Sequence, residues 1–568
     1  MNPFPHLATD RYRWVALVFI ALGLAIVIID NTVLNVAVPH ILRDFNTSFD
    51  AIQWVISGYA LIIATVLITV GRIGDIIGRR KMFILGTIFF AIGSFIASIS
   101  QNPFQLFIGE ALIEAFGAAM MLTASLSLLV SEFHGKERAI AFGIWGSVAG
   151  ASGTIGPLLG GYFTAYHSWR WSFRINVFVA LIAIVGTIFI KESFGEKENK
   201  FDWWGTVLSG IGLFSLVFGF IEGQNFGWWS PNKAFVIGNW IWSFWHVSII
   251  PFAFAAGIIF LILFSLNEIN LERKGKSPLL KLSTFKNRGF SSGMATLLIV
   301  SLGQFGVFFI LPIYLQVVLG LNAFQAGVIF IPASVTIMIA GPLSGFISSR
   351  IGPKWMVSGG MFILAIGTFM LAQAFIPGVN GWNLAPALII FGIGIGFTSA
   401  QLTNIILSSV PIQLAGEASA ANNVMRQVGT SIGIAILGVV LASHVTTTVS
   451  YNINADWNIP NFAKDPILTK VQNIDFESGQ ENFSSQKGTP AKIINAVKSD
   501  ITDGIDSASQ ITMAVAFIFI IIGASVSLLI PNTKQHLPWE NNSDNTDQTP
   551  KSFDEFQKNE EIVLKENR

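Results

Sequence analysis

Charged residues are scarce in this sequence, and cysteine is absent. Asp, Glu, Lys and Arg together make up 12% of the 568 residues, about half the share that is usual in soluble proteins. Without cysteine, the chain has no disulfide, no thiolate nucleophile and no cysteine-ligated metal. A formal net charge of +1 gives no general attraction to nucleic acid, so we predict no nucleic-acid partner.

Motifs for catalysis and for cofactor binding are also missing. The seven histidines are scattered near helix ends and loops, without the spacing of metal ligands. The sequence has no G-x-x-x-x-G-K-[ST] loop, so ATP-driven transport is not indicated, and it shows no nucleophile–base pair. We therefore predict a protein that is not an enzyme and that needs neither a metal nor another cofactor.

Long apolar runs dominate what remains. Hydrophobic residues make up 52% of the chain, which also holds 53 glycines, a composition suited to helices packed in a lipid bilayer. A membrane-spanning helix needs about 20 apolar residues. Fourteen stretches meet this criterion, at residues 14–39, 51–71, 82–100, 104–131, 140–163, 172–190, 203–221, 247–266, 289–318, 324–348, 355–375, 384–410, 416–443 and 510–530.

The distribution of Lys and Arg predicts the orientation of these helices. Alternate loops carry basic clusters, such as residues 72–81 and 273–288, whereas the short opposite loops hold only Arg43, Arg170, Arg174 and Lys233. By the positive-inside rule, we predict a multi-pass protein of the cytoplasmic membrane with both termini in the cytoplasm. The polar tail at 532–568 is predicted to be disordered.

Two segments on the predicted outer side are unusual. Residues 222–246 hold five tryptophans, which suits a segment in the headgroup region; an aromatic cage for substrate is the alternative. Glu222 at its start is predicted to be solvated. Residues 444–509 are predicted to form a long polar loop, whose last part (491–505) has helical apolar spacing and is expected to pack on the outer surface.

The loop after the second helix reads G-R-I-G-D-I-I-G-R-R-K. Gly71 and Gly78 allow a tight turn and a close helix approach. Asp75 is expected to accept hydrogen bonds from Arg79 or Arg80, or to face a helix N-terminus. The alternative is an ordinary basic loop with an incidental Asp.

This loop resembles the signature cytoplasmic loop of the major facilitator superfamily, and a degenerate copy follows helix 10. Residues 30–39 in helix 1 (D-N-T-V-L-N-V-A-V-P) are similar to a pattern of its fourteen-helix drug:proton antiporters. Three further stretches, at 169–177, 277–280 and 426–429, also resemble that family. Helix 5 carries what looks like its antiporter motif, with Gly153, Gly156, Pro157, Gly160 and Gly161.

The resemblance implies an all-α major facilitator fold that works by alternating access. Two six-helix bundles, 1–190 and 289–531, would flank two inserted helices and a linker in 191–288. It also implies export of drugs or toxic compounds in exchange for protons. An importer or facilitator of a nutrient, or a non-transporting membrane sensor, are the alternatives. We expect a monomer with a small-molecule substrate, protons and the lipid bilayer as its partners.

Three carboxylates lie within predicted spans, where each costs roughly 2.5–3.5 kcal/mol. Asp30 in helix 1 and Glu110 and Glu114 in helix 4 are at comparable depth, and the two glutamates share one helix face. Like carboxylates that meet in a low dielectric cannot all ionise, so the group could hold a proton until a cationic substrate displaces it. Alternatively, each is hydrogen-bonded or hydrated without a coupling role.

The sequence departs from the family in helix 4, which usually carries an Arg. Here no Arg lies between Phe104 and Ser131, so an Arg–Asp coupling pair cannot be carried over. A carboxylate group without Arg favours lipophilic cations as substrates. In helix 13, Arg426 is expected to pair near Asp75, to line the cavity, or to have only a structural role.

Overall fold

The computed structural model describes residues 12–47, 49–195, 201–237, 240–242, 246–376, 378–457, 459–460, 464, 468 and 491–532. The prediction of a disordered tail lies outside these residues, except for its first position, as does the middle of the predicted outer loop. The described residues contain fourteen helices that are long and apolar enough to cross a membrane. The predicted number is therefore confirmed.

The helices, in chain order, are α1 (Arg13–Phe45), α2 (Phe49–Ile77), α3 (Arg79–Ile99), α4 (Pro103–Glu132), α5 (Gly135–Tyr166), α6 (Arg170–Gly186), α7 (Trp203–Phe226), α8 (Ile249–Arg273), α9 (Arg288–Val318), α10 (Ala323–Ile329 with Ile331–Ile351), α11 (Pro353–Ala374), α12 (Ala385–Ser408), α13 (Ala415–Ala455) and α14 (Ala491–Ser527).

The contacts define two groups of helices, the first with α1–α6 and the second with α9–α14; we also call these groups the halves. Within the first group, α1 packs on α5 and α6, and α3 packs on α4 and α6. Within the second, α9 packs on α13 and α14, and α11 packs on α12 and α14. The groups meet where α5 contacts α10 and α12, and where α2 and α4 contact α13. The inserted helices α7 and α8 pack on each other, and α7 also touches α2 and α13.

The long outer loop predicted at 444–509 is shorter than expected. Helix α13 runs on to Ala455 and α14 begins at Ala491, so both ends of the predicted loop are helical. Val445 and Val449 of α13 are buried against Val497 and Ile505 of α14. The prediction was wrong because the polar residues between these apolar positions hide a four-residue spacing. Residues 491–505 are helical, as their apolar spacing suggests, and Val497 and Ile505 pack on α13; their position on the outer surface stays a prediction.

The tryptophan-rich segment between α7 and α8 contains the single two-residue strand pair of the described residues, Val236–Ile237 with Trp240–Ile241. The Trp228 ring stacks on Phe254 of α8 with ring centroids 6.3 Å apart, and Trp242 meets Phe252 edge-on at 5.0 Å. These rings pack on separate partners along α8. The contacts favour a segment lying against the helix ends over an aromatic cage.

Glu222 at the end of α7 is predicted from the sequence to be solvated, but it is buried in the structure. Its exposed fraction is 3%, and it accepts a hydrogen bond from Asn225 at 2.8 Å. The prediction was wrong because the segment that follows folds back over the helix end, where Trp228 packs on Gly223.

Glycines bring the two groups of helices into backbone contact along α5 and α10. A Cβ atom at Gly143 would lie 2.5 Å from the carbonyl oxygen of Gly341, and one at Gly345 would lie 2.8 Å from that of Ala139. Such spacing lets two helices approach closely where no hydrophobic effect drives them together. Any side chain on these positions must push the groups apart.

We therefore expect Gly143→Val to separate α5 from α10. Overpacking of this kind costs about 1–3 kcal/mol, so the melting temperature of the purified protein should fall by several degrees. The matched control is Gly359→Val in α11, where a Cβ atom meets nothing within 4 Å. Equal melting temperatures for the two variants would show that the close approach is not needed.

Candidate functional site

The three membrane carboxylates of the sequence analysis come together in the structure. Oxygen atoms of Asp30, Glu110 and Glu114 all lie within 4.8 Å of one another. The exposed fraction is 3% for Asp30 and 0% for both glutamates. We call these three residues the carboxylate cluster.

The backbone of α4 is unusual where it carries the two glutamates. Residues Phe107–Glu114 form a π-helical stretch inside the span, a rare geometry that is frequent at functional sites. Helix α3 presses on this stretch, since a Cβ atom at Gly109 would lie 2.7 Å from the backbone nitrogen of Ala97. A Cβ atom at Gly93 would overlap the backbone of Glu114. The glycines thus seat the glutamates inside the bundle.

Neutral polar side chains complete the cluster. The amide of Asn176 in α6 donates to Asp30 Oδ1 at 2.6 Å and to Glu114 Oε1 at 3.4 Å. The Ser94 hydroxyl of α3 also donates to Glu114, and the Tyr59 side chain of α2 is buried near the three carboxylates. Asn176 belongs to the stretch 169–177 that resembles the antiporter family, which gives this stretch a physical role.

Several buried atoms in the cluster remain without a donor. Both oxygens of Glu110, one oxygen each of Asp30 and Glu114, and the Tyr59 hydroxyl have no hydrogen-bond partner among the described residues outside the cluster itself. In the described part of the chain, the side chains that interact with the carboxylates are neutral or acidic. No positive side chain found there compensates the charge of the cluster.

This lack of compensation limits the charge that the cluster can carry. Two ionised carboxylates with oxygens no more than 4.8 Å apart repel each other by at least roughly 3.5 kcal/mol at an effective dielectric constant of about 20. Burial adds the loss of hydration to this cost. The cluster therefore has to hold protons or a bound cation, and the geometry of its oxygens would also suit a metal ion.

The cluster lies inside the first group of helices. Its members and their partners come from α1, α2, α3, α4 and α6, which all precede the inserted helices in the chain. It is therefore enclosed by one bundle. The sequence analysis had placed these carboxylates at a similar depth, and the structure adds that they share one pocket.

The loop after α2 contacts the opposite group of helices. Asp75 accepts a hydrogen bond from Arg79 Nε at 2.9 Å, and Arg79 Nη2 donates to the carbonyl of Ile412 at 2.9 Å. The Asp75 carboxylate packs on Gly416 in the first turn of α13, where a Cβ atom would overlap it. Asp75 thus faces the positive end of the α13 dipole.

Gly71, Gly78 and Arg80 of the loop have separate structural roles. Gly78 has a φ of 110° at the turn between α2 and α3, a conformation that favours glycine. A Cβ atom at Gly71 would lie 2.7 Å from that of Ala420 in α13. Arg80 stays in its own half, where its Nε donates to the carbonyl of Thr187 at 2.8 Å.

An ion pair that the sequence analysis did not identify also joins the halves here. Arg72 Nη1 lies 3.0 Å from Glu417 Oε1, and both side chains are 3% exposed. From sequence, Arg72 counted only as a positive-inside residue. The acidic residue in the first turn of α13 was the available signal, because acids are favoured at helix N-termini. We call Arg72, Asp75, Arg79, Gly416 and Glu417 the gate.

Arg426 does not join the gate. Its guanidinium lies over the ring of Trp145 in α5, 5.6 Å from the centroid, and its Nε has no hydrogen-bond partner among the described residues. Pairing near Asp75, one of the three alternatives, is therefore wrong, because Arg79 and Arg72 occupy that place. Arg426 instead forms a cation–π contact between the two groups.

The antiporter motif in α5 packs largely within its own half. Cβ atoms at Gly156 and Gly160 would meet Thr32 and Val33 of α1, whereas Gly153 is in looser contact with Ile28. Gly161 is buried on the same turn. Pro157 of the motif reaches the other half, where its carbonyl carbon, with Leu158, lies against Gly327 of α10. Elsewhere on α5, Gly143 and Gly150 lie against Gly341 and Ile337 of α10, and Gly146 lies against Ala400 of α12.

Trp169 and Arg170 contact the C-terminal end of α1, at Asp44. Both donate to the Asp44 carboxylate, and Arg170 also donates to the carbonyl of Ser100 at 2.7 Å. These hydrogen bonds and the guanidinium charge lower the pKa of the Asp44 carboxyl below its ordinary value. The stretch at 169–177 therefore fixes α1 at two levels, through Asp44 and through Asp30.

The contact between Asp75 and Gly416 allows a prediction for a variant that adds one methyl group to the gate. In Gly416→Ala the new Cβ would displace the Asp75 carboxylate from the α13 N-terminus, so the gate should close less tightly. Because the chain has no cysteine, Ser127→Cys at the α4–α13 contact can serve as the single labelling site. We expect several-fold faster thiol labelling with Gly416→Ala, a smaller increase with Asp75→Asn, and none with Gly359→Ala. Unchanged labelling in Gly416→Ala would contradict this role.

Comparison with known proteins agrees with this architecture. The model of the Major Facilitator Superfamily matches residues 20–220 and 202–434. The chain is 32% identical over 451 residues to the probable actinorhodin transporter of Streptomyces coelicolor, covering 77% of this chain and 74% of that protein. It is 31% identical over 435 residues to the tetracenomycin C resistance and export protein of Streptomyces glaucescens, covering 76% of each.

A solved structure of similar fold is that of the major facilitator proton:xylose symporter bound to 6-bromo-6-deoxy-D-glucose. The TM-score is 0.54 at 13% identity, with 92% of this chain and 97% of the symporter covered. At this identity the likeness concerns the fold alone. Together with the family match and the fourteen helices, it leads to one conclusion: this chain is a multi-pass membrane protein of the major facilitator superfamily.

Proposed function

We propose that this chain exports lipophilic, cationic drugs or other toxic compounds across the cytoplasmic membrane in exchange for protons. The observation that carries the proposal is the carboxylate cluster, whose three buried acids have no positive partner among the described residues. Such a cluster is stable only with bound protons or with a cation nearby. Proton release and cation binding then oppose each other, which is the minimal requirement of antiport.

The relatives support export as the direction. One is described as a resistance and export protein for tetracenomycin C and another as a probable transporter of actinorhodin. The alternative of a nutrient importer is compatible with the fold, which this chain shares with a proton:xylose symporter. Fold alone does not decide the direction of transport. A non-transporting sensor does not require a gate between two halves, whereas an alternating-access transporter does.

The proposed cycle alternates access on the two sides. In the orientation predicted from Lys and Arg, both termini and the gate are cytoplasmic. The structure then corresponds to a state closed on the cytoplasmic side, because the gate residues of α2 contact α13. Opening requires the bundles within 1–190 and 289–531 to rock apart while the inserted helices in 191–288 remain packed on them. One chain supplies every part, so we propose a monomer as the functional unit.

The missing helix 4 Arg bears on the substrate. Within the described residues, α4 contributes two carboxylates and no positive charge to the cluster. The field of the cluster attracts cations and repels anions, and low-dielectric walls strengthen this effect. The cluster therefore attracts a lipophilic cation more strongly than it attracts a neutral compound.

A metal cation in place of the proton is the second candidate, favoured by the oxygen geometry of the cluster. An imposed gradient distinguishes the two. Vesicles with a pH gradient and no Na⁺ or divalent gradient should drive transport if protons couple. Vesicles with a Na⁺ or Mg²⁺ gradient at constant pH should drive it if a metal ion does.

The decisive variant removes both glutamates. We expect Glu110→Gln with Glu114→Gln to lower proton-driven efflux of a lipophilic cation, such as a fluorescent dye, at least tenfold in proteoliposomes. The cause is the loss of the protons that Glu110 and Glu114 can exchange, with shape preserved. The matched control is Glu222→Gln, a buried carboxylate outside the cluster, which should transport normally.

Unchanged cation transport by the double variant would contradict the proposal. Uptake in the inward direction only would favour the importer. Binding of the dye that does not depend on pH and produces no flux would favour the sensor.

A further inference from the structure

The linker between α8 and α9 donates hydrogen bonds from two successive backbone N–H groups to two buried carboxylates. The S-P-L-L stretch, Ser277–Leu280, ends beside Lys281. The backbone N–H of Leu280 donates to Glu268 Oε2 at 3.0 Å. The next N–H, that of Lys281, donates to Glu417 Oε2 at 3.0 Å. The linker is therefore anchored by two hydrogen bonds.

Glu268 connects the linker to the inserted helices. It belongs to α8, has an exposed fraction of 0%, and also accepts from the Asn267 amide. The same amide donates at 2.8 Å to Asp202, which caps α7 through the N–H of Gly205. The predicted cytoplasmic ends of α7 and α8 thus share one polar network with the linker.

Glu417 connects the linker to the gate. Its Oε2 accepts from Lys281 N–H, and its Oε1 pairs with Arg72 of the first half at 3.0 Å. Leu279 and Leu280, which precede Lys281, are buried in the same apolar core as Ala415 of α13. One carboxylate of the second half is therefore held by the linker on one side and by the first half on the other.

We propose that the Lys281 N–H is a positioning group for the gate: it orients Glu417 toward Arg72 and makes the linker part of cytoplasmic closure. A glutamate in a helix has several rotamers, and a hydrogen bond at one oxygen selects the rotamer that presents the other to Arg72. This inference rests on the proposed transport cycle only in that the gate must open and close.

Loss of this hydrogen bond should weaken closure while leaving the gate side chains in place. When the halves separate, Arg72 must leave Glu417 because the two residues belong to different halves. The bond from Lys281 can persist, since linker and α13 are packed together. The linker then moves with the second half and returns Glu417 in the correct orientation for the next closure.

Proline at position 281 tests this directly. Lys281 has a φ of −70°, which proline adopts without strain, and proline has no N–H to donate. The matched control is Lys281→Ala, which removes the same side chain but keeps the N–H. Each is combined with Ser127→Cys, and labelling of the purified protein is measured together with the turnover number and KM of efflux.

We expect Lys281→Pro to label several-fold faster than Lys281→Ala, and its turnover number to fall several-fold with little change in KM. A role in folding alone would lower the yield of folded protein without changing the labelling rate of the folded fraction. Equal labelling rates of the two folded variants overturn the proposal.

A charge exchange provides a test that does not depend on proline. In Arg72→Glu with Glu417→Arg the ion pair can re-form with reversed polarity, but arginine cannot accept the Lys281 N–H. We expect labelling to stay faster than in the parent with Ser127→Cys alone. Labelling restored to the parent rate would show that the ion pair alone suffices, and would overturn the proposal. Labelling requires no proton gradient, so this result is independent of whether protons drive transport.

Discussion

Mutual repulsion of three buried carboxylates is the constraint on which the rest of this structure depends. Asp30, Glu110 and Glu114 share a pocket without a positive side chain among the described residues. The surrounding helices supply neutral donors, Asn176 and Ser94, which stabilise negative charge without cancelling it. A cluster of this kind stays responsive to protons and cations, whereas an Arg in α4 would have neutralised part of its charge.

Two helices connect this cluster to the gate. Helix α4 carries Glu114 and, about 20 Å further along its axis, Ser127, whose hydroxyl lies 3.1 Å from that of Ser419 in α13. Helix α2 carries Tyr59 beside the cluster and Asp75 in the gate. In the proposed cycle, a change of charge in the cluster would act on helices that also carry gate residues or contact α13. Rigid helices are a physical route for such coupling.

Much of this could be predicted from the sequence, because apolar length and ordered motifs are local signals. The fourteen spans and the superfamily follow from them, as does the shared depth of the carboxylates. Contacts between distant segments could not be predicted: the Arg72–Glu417 pair joins residues 345 positions apart. Gly156 and Gly160 are recognisable in the sequence as part of a motif, but only the fold shows that they face α1. The α13 extension was hidden because its apolar face is interleaved with polar residues.

The most direct measurement of the central claim is the protonation of the cluster itself. Infrared difference spectra of the purified protein, recorded before and after addition of a lipophilic cation, report the C=O band of protonated carboxyl groups. Our account predicts that this band decreases on addition of the cation, with release of protons to the medium, and that Glu110→Gln with Glu114→Gln abolishes the change. A wild-type protein that binds the cation with neither a band change nor proton release would contradict it.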